Sequence, residues 1–355
     1  MSTPLSNTYY KLTVEKSLKV AFLGGSITSG GCATEYSKNY VSHTERWLHN
    51  NFPQAKIKTN NAGVGNTGSN YGIFRLQKDI LDVFVPDLIF IEYTSNDWGR
   101  FGELNISRQN ESIMRMLYKA NPKIDIVFLF TAFTYESPCR SASTKLAEHY
   151  GLITMDPGKL IKTKIDTEEG GEYSKYTHDK IHPNDTGHAL YGKMIGETFS
   201  KYLVENAPEK AEYLDVEVPE PLNKNGLFLA PEMVDVDEFD YSESFMRKDF
   251  SLELRQMKYD HYIETEKEGA EFTFDFDGTG FGLYIHKNPT LSNFFYSVDG
   301  GEFKEFIVAE MQNYDHGQTY IIEYDLPKGK HTVCIRNGKS EHGTTLRIIK
   351  VLVNK

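Results

Sequence analysis

Four short segments of this chain carry side chains suited to covalent chemistry. Gly24-Gly25-Ser26-Ile27-Thr28 follows the apolar run 19–23. A serine on a tight strand-to-helix turn can project its hydroxyl from a sheet edge and lend its own N–H to an oxyanion, and flanking glycines permit the turn. The segment Asn61 to Gly68 holds Gly63 and Gly65, where the backbone can approach a substrate closely enough to donate an N–H. Thr94-Ser95-Asn96-Asp97 follows another apolar run, and the Asn96 carboxamide could be a third donor to the same oxyanion. Asp179-Lys180-Ile181-His182 sets a carboxylate three residues before an imidazole. The carboxylate can fix the tautomer, and the ring can then take a serine proton and return it to a leaving group.

Each segment alone has a plainer reading. Gly24 to Thr28 also fits an ordinary turn or an anion-binding helix start. No Gly-Lys-Ser/Thr follows it, so it is not a P-loop. Thr28 stands where the nucleophile elbow of α/β-hydrolases has its last glycine. Asn61 to Gly68 fits a flexible loop, and Thr94 to Asp97 an Asx turn. His178, His182 and Asp179 or Asp185 could bind a metal, although Pro183 makes a regular helical His-x-x-x-His pair less natural and no cysteine joins the set. Trp98, Arg100 and Phe101 lie on the loop beyond Asn96, which Tyr93 also flanks. They suit the face of a sugar, with Arg100 bonding hydroxyls, and equally suit simple loop packing. His43, His149 and His188 read as helix surface or core, and Asp97 and Glu103 as solvated.

The surrounding pattern would position these segments. Strand-like runs at 19–23, 56–59, 87–93, 124–130 and 152–155 alternate with helical spacing over 37–50, 71–84, 107–120, 141–150 and 184–204. Strands separated by helices predict a parallel sheet covered on both faces, with ligands beyond the carboxyl ends of its strands. Three of the four segments fall there. From about 206 to 225 the composition turns to prolines and charges, fitting either a linker or a segment that hugs the surface. Beyond 226 alternating runs at 272–276, 282–285, 294–298, 320–324, 331–335 and 346–353, with Gly-rich turns between them, predict an antiparallel β-sandwich. Its aromatics include Tyr259, Tyr262, Tyr284, Phe294, Phe295, Tyr296 and Tyr314, of which about half must be core on alternating strands.

Bulk properties narrow the function classes. The chain has 355 residues, 39% hydrophobic and 25% charged, enough for two domains with sizeable cores. With 39 Lys and Arg against 50 Asp and Glu, and no basic cluster, it is a poor nucleic-acid binder. No apolar run approaches a membrane span, and the first ten residues lack the pattern of a signal peptide. Three scattered cysteines, Cys32, Cys139 and Cys334, make neither a disulfide framework nor a C-x-x-C zinc pattern. A reducing cytoplasm is the expectation.

Taken together, Ser early, Gly and Asn in the middle and Asp-x-x-His late form the block order of the SGNH (GDSL-like) hydrolases, which this chain resembles over about residues 18–204. The resemblance implies a flavodoxin-like three-layer α/β/α domain with a parallel sheet at 1–205, a linker at 206–225, and an all-β, jelly-roll-like sandwich at 226–355 of the carbohydrate-binding kind. It implies Ser26 as nucleophile and first oxyanion donor, Gly65 as second donor in preference to Gly63, Asn96 as third, His182 as base and Asp179 as its carboxylate. Two positions depart from the family pattern: the usual Asp before the serine is Gly25, and the usual Gly two residues before the asparagine is Thr94. The Gly-Gly-Ser-Ile-Thr form looks like the carbohydrate-esterase branches. By that resemblance the chain is a cofactor-free, metal-free serine esterase that removes acetyl groups from hemicellulose oligosaccharides of the β-mannan or xylan type. A lipid or thioester hydrolase of the same fold and a non-catalytic carbohydrate-binding protein are the alternatives. The second domain could bind sugar, complete the active-site wall, or join copies of the chain.

Overall fold

The structure, a computed structural model, describes residues 4–168, 171–250, 259–308 and 316–355. It divides into two compact units, Met1–Lys224 and Asn225–Lys355.

The first unit is built on five parallel strands: β1 (Ser17–Gly24), β2 (Lys56–Gly63), β3 (Leu88–Glu92), β4 (Asp125–Leu129) and β5 (Ile153–Met155). Their order is β2-β1-β3-β4-β5. β3 is buried along its whole length, as expected of a central parallel strand covered on both faces. The helices are α1 (Ser6–Thr13), α2 (Ser26–Ser29), α3 (Tyr40–Asn51), α4 (Ser69–Leu76), α5 (Thr94–Asp97), α6 (Glu103–Ala120), α7 (Pro138–Tyr150), α8 (Pro157–Thr167) and α9 (Asp185–Phe199). On one side of the sheet Phe22 and Phe90, stacked 4.9 Å apart, pack against Tyr40, Tyr191 and Phe199 from α3 and α9.

Besides the four-residue α2 and α5, two helices lay outside the sequence expectation. α8 carried its signals openly: the Asp156 side chain accepts from the Lys159 N–H at 2.8 Å, and Pro157 occupies the first turn. α1 has no such cap; it is held from outside, where Asp125 accepts from the Thr8 N–H and hydroxyl at 2.7 and 2.6 Å. Residues 206–224 run along the first unit. Leu214 and Asn7 exchange two hydrogen bonds, and Tyr213 stacks on Tyr10 at 5.1 Å. The buried Glu111 carboxylate receives the N–H groups of Leu222 and Asn223.

The second unit holds two antiparallel sheets. One contains His316–Glu323, Gly280–Lys287, Leu346–Asn354, His261–Thr265 and Met246–Asp249 in that order, with Pro231–Asp235 also paired to Leu346–Asn354. The other orders Lys304–Phe306, Phe294–Val298, Gly329–Asn337 and Glu271–Gly278. Five of the six expected runs fall within these strands, and the sixth, 320–324, ends one residue past Glu323. Phe272, Phe274 and Phe276 alternate inward and share one core with Phe281, Leu283 and Ile285 of the other sheet. Of the aromatics named above, Tyr284, Phe294 and Tyr296 are buried, Tyr259, Tyr262 and Phe295 are half-buried, and Tyr314 lies outside the described residues. Among the described residues, no helix is long and apolar enough to cross a membrane.

Candidate active site

The strand order brings three of the four segments together. Gly24 at the end of β1 is in register with Gly63 of β2 and Glu92 of β3, so the loops leaving these strands start from one level. Such a crevice, where the strand order reverses, is where open α/β sheets bind ligands.

Ser26 opens α2, and its hydroxyl lies 2.7 Å from His182 Nε2. The turn after it is closed by the Gly31 N–H donating to the Ser26 carbonyl at 2.8 Å. A Cβ on Gly31 would stand 2.8 Å from that carbonyl oxygen, so the turn needs bare backbone. His188, fully buried, holds it from behind: Nδ1 accepts from the Tyr40 N–H, and Nε2 reaches the Gly31 carbonyl at 3.2 Å. Burial lowers the His188 pKa to about 4, so the ring stays neutral and can serve both roles. This histidine is core, as its sequence setting allowed.

His182 Nδ1 lies 2.6 Å from Asp179 Oδ2, while Asp179 Oδ1 accepts the N–H groups of His182 and Ile181 at 2.8 and 3.1 Å. Burial alone would raise the Asp179 pKa. The bonds from the His182 backbone, the His182 ring and Ile181 outweigh it and hold the carboxyl below its ordinary value. The aspartate therefore stays ionised beside the ring and fixes the tautomer in which Nε2 faces Ser26 as an acceptor.

Three donors surround the Ser26 hydroxyl. The N–H groups of Ser26 and Gly65 and the Nδ2 of Asn96 make no hydrogen bond among the described residues. A Cβ on Gly65 would stand 3.8 Å from Ser26 Cβ, which puts this glycine beside the nucleophile. Gly63 is excluded as donor: its N–H is bonded to Asn61 Oδ1 at 3.0 Å, and a Cβ there would meet the Ser29 nitrogen. Asn61 Nδ2 in turn holds the Thr28 carbonyl at 2.8 Å, tying this loop to α2. Thr94, the departure in the third segment, uses its hydroxyl to accept the Thr131 N–H at 2.7 Å.

Below these donors lies a buried polar layer that the sequence reading passed over. Arg75, 1% exposed, donates to the carbonyls of Ala62 and Gly24 and to the Tyr93 hydroxyl, at 2.6, 2.9 and 2.8 Å. It thereby locks the ends of β1, β2 and β3. Glu92 is fully buried and accepts the Thr28 and Thr131 hydroxyls at 2.8 and 2.6 Å and the Gly25 N–H at 3.3 Å. Burial raises its pKa to about 7. Asp97 is not solvated as expected; it is 1% exposed and accepts the Ser69 N–H at 2.9 Å, with burial raising its pKa to about 6. The signal for Glu92 was a carboxylate at the end of an otherwise apolar central strand.

The three candidate substrate contacts separate. Trp98 is 56% exposed and lines a cavity of about 260 Å³ with Ser95, Phe133, Tyr173, Lys180 and Ile181. Arg100 turns away to Asn66, donating to its side chain at 2.5 Å and its carbonyl at 3.2 Å. Asn66 has a φ of 60°, so this clamp fixes the left-handed turn just after Gly65. Phe101 packs on Ile106, Cys139 and Ala142. Both residues support the loop instead of facing the cavity. The candidate metal set also changes: Cys32, not His178, lies with Asp179 and His182, their ligand atoms within 4.8 Å of one another, and Asp185 is bonded to Thr34 and Lys38. The expectation that no cysteine joins this group fails because the turn after α2 carries Cys32 back to it.

Comparisons with known proteins fit this geometry. No curated protein matches the sequence. Two crystal structures of a two-domain esterase active on acetylated mannans, one co-crystallised with mannopentaose, superpose with a TM-score of 0.80 at 22% identity, over 99% of this chain and 95% and 96% of theirs. At that identity the likeness establishes the two-domain fold. Residues 22–190 match the GDSL-like lipase/acylhydrolase family. The first unit, which presents a serine, a glycine, an asparagine and a histidine around one crevice, thus carries a domain similar to the GDSL-like lipase/acylhydrolase family, matched over residues 22–190, and this supports a carboxylic ester hydrolase.

Proposed function

We propose that this protein is a serine esterase that removes acetyl groups from sugar hydroxyls. The carrying observation is the continuous chain Ser26 Oγ, His182, Asp179, at 2.7 and 2.6 Å, beside three donors with no partner among the described residues. Ser26 Oγ attacks the ester carbonyl while His182 Nε2 takes its proton. The carbonyl oxygen, now anionic, is received by the Ser26 and Gly65 N–H groups and Asn96 Nδ2. Collapse breaks the bond to the alcohol oxygen, which leaves with the proton from His182. Water, deprotonated by His182, then attacks the acetyl-serine, and acetate departs as Ser26 regains its proton.

The sugar assignment is supported by the cavity beside Ser95. At about 260 Å³ it is far larger than an acetyl group needs, and Trp98, Phe133 and Tyr173 line it. Aromatic faces suit the C–H faces of pyranose rings, which leave the hydroxyl rim wet. The similar solved esterase acts on acetylated mannans, which supports acetylated mannan or xylan oligosaccharides as substrate. The largely apolar wall also favours one second reading, a longer acyl chain in the same cavity.

Acetate release from acetylated manno- and xylo-oligosaccharides, by wild type and Ser26→Ala side by side with EDTA present, tests this. Release by wild type alone supports a serine acetylesterase. Equal release by both removes Ser26 as nucleophile. No release, with cleavage of a longer-chain acyl ester, moves the substrate to lipids.

A further inference from the structure

The three oxyanion donors come from three different loops, and something must hold those loops in register. The Glu92 carboxylate bonds one of them directly and reaches a second through Thr131. Its carboxylate receives the N–H of Gly25, the residue before the nucleophile, and the hydroxyl of Thr28 in α2. Its other oxygen receives the Thr131 hydroxyl at the end of β4, and Thr131 Oγ1 lies 2.9 Å from the hydroxyl of Ser95, the neighbour of Asn96.

We propose that Glu92 is the positioning residue of the oxyanion hole: by accepting from Gly25, Thr28 and Thr131 at once, it fixes the distance between the Ser26 N–H and the Asn96 carboxamide. The proposal rests on the serine-esterase reading above.

The hydrogen-bond directions follow from the ionised acid. Thr28 donates to Glu92, so the Tyr40 hydroxyl, 2.8 Å from Thr28 Oγ1, must donate to Thr28. Thr131 donates to Glu92, so Ser95 donates to Thr131. A carboxylate aligns both chains toward itself. An amide must donate to one of them and reverse it, because its nitrogen cannot accept. The groups facing Glu92 are the Asp97 carboxylate, which disfavours its ionisation, and the buried hydroxyls of Tyr40, Tyr93 and Tyr191. Arg75, a cation beside them, is bonded to the Gly24 carbonyl and the Tyr93 hydroxyl. The charge is thus held by hydrogen bonds at a cost in desolvation, as at sites where function outweighs stability.

The experiment is Glu92→Gln in the full chain, assayed on a small activated acetyl ester and with a boronic acid, whose tetrahedral serine adduct fills the oxyanion hole. Ser26→Ala runs beside it. The expected result is a kcat lower by roughly 10- to 100-fold and a boronate affinity weakened by roughly 10-fold or more, with KM within about two-fold. The melting temperature of the wild type should also fall relative to Glu92→Gln as the pH rises from 5 to 8. Thr28→Val, with Thr28→Ser restoring activity, gives the same readout if the glutamine variant does not fold. Wild-type kcat and boronate affinity in Glu92→Gln, or a kcat loss with boronate affinity unchanged, overturns the proposal. Full activity in Ser26→Ala overturns the serine-esterase reading instead, so the two failures are distinguishable.

Discussion

The Cα of Gly25 is packed against the Asn96 carboxamide: a Cβ built there would stand 1.9 Å from Asn96 Oδ1 and 2.8 Å from its Cγ. The contact leaves no room for the aspartate that precedes the serine in the family this chain resembles. The room such a side chain would need is taken from above by Asn96, and the carboxylate under the loop comes from Glu92 on the neighbouring strand. The contact makes Gly25 and Asn96 one unit. Gly25→Ala is expected to displace the carboxamide and lower kcat roughly 10²-fold, about the loss of one oxyanion donor, with KM little changed. Asn96→Ala should cost about the same, and the double variant hardly more than either. Steady-state kinetics of the three variants on a small acetyl ester check this; additive losses would mean that the contact is not the route by which Gly25 acts.

The Ser26–His182–Asp179 chain yields a second expectation. Ser26→Ala and His182→Ala should each lose roughly 10³-fold or more in kcat, and Asp179→Asn roughly 10²- to 10⁴-fold, because the amide can stabilise the wrong imidazole tautomer. The Asp179 carboxyl is held below its ordinary value, so the wild type keeps this carboxylate down to acidic pH. EDTA should leave all rates unchanged, although Cys32, Asp179 and His182 lie close enough to share an ion. Loss of activity on chelation, restored by a divalent metal, would require a different mechanism.

Trp98 and Arg100 are expected to behave differently, although they sit two residues apart. Trp98→Ala removes an aromatic wall of the cavity and should raise KM for acetylated oligosaccharides several-fold, with little effect on a small ester. Arg100→Ala frees Asn66 and the Gly65 turn, so it should lower kcat on both substrates. Comparing kcat and KM on the two substrates tests this; an Arg100 variant altered only in oligosaccharide KM would return that residue to the sugar.

The sheet, the helix layer and the members of the candidate site were legible because they rest on local patterns. Apolar runs such as 87–93 and the Asp179–His182 spacing are visible without neighbours. What was missed depends on burial. Glu92, Arg75 and Asp97 look like any charged residues until the fold surrounds them with Thr28, Thr131, Gly24 and Ser69. The contacts of Arg100 and Phe101 were hidden for the same reason. A loop arginine beside aromatics reads as a sugar contact until its partner, Asn66, is known. α1 went unseen because its anchor, Asp125, lies over a hundred residues away.

The course of residues 206–224 sets where the chain can be cut. Asn223 donates through its backbone and its side chain to Glu111 at 2.8 and 2.6 Å, and the Asn223 amide also reaches Ser107. A chain ending at Lys224 keeps these bonds and should stay folded, with activity on a small ester. One ending at Glu205 strips Leu222 and Asn223 from Glu111 and uncovers Tyr10, and should melt several degrees lower. Thermal melts and small-ester assays of the two truncations decide. Equal stability would mean that the segment contributes little to the first unit. If the Lys224 form stays active on the small ester but fails on oligosaccharide, sugar recognition lies in the second unit.

Asp125 provides a pH test away from the chemistry. It is half-buried, and burial raises its pKa to about 6 despite the two bonds from Thr8. A raised carboxyl pKa means that the folded chain holds a proton that the unfolded chain has released. Stability from this group is therefore complete below about pH 4 and is lost as the pH rises through about 6. Asp125→Asn cannot ionise, so it lacks this loss. The melting temperature of the variant minus that of the wild type should rise between pH 4 and 7 and level off above. Where the difference starts is set by what asparagine does to the Thr8 bonds; its slope is set only by the proton. A difference that stays flat would show that Asp125 ionises in the folded protein as readily as in the unfolded chain, and that α1 is docked by a carboxylate with an ordinary pKa.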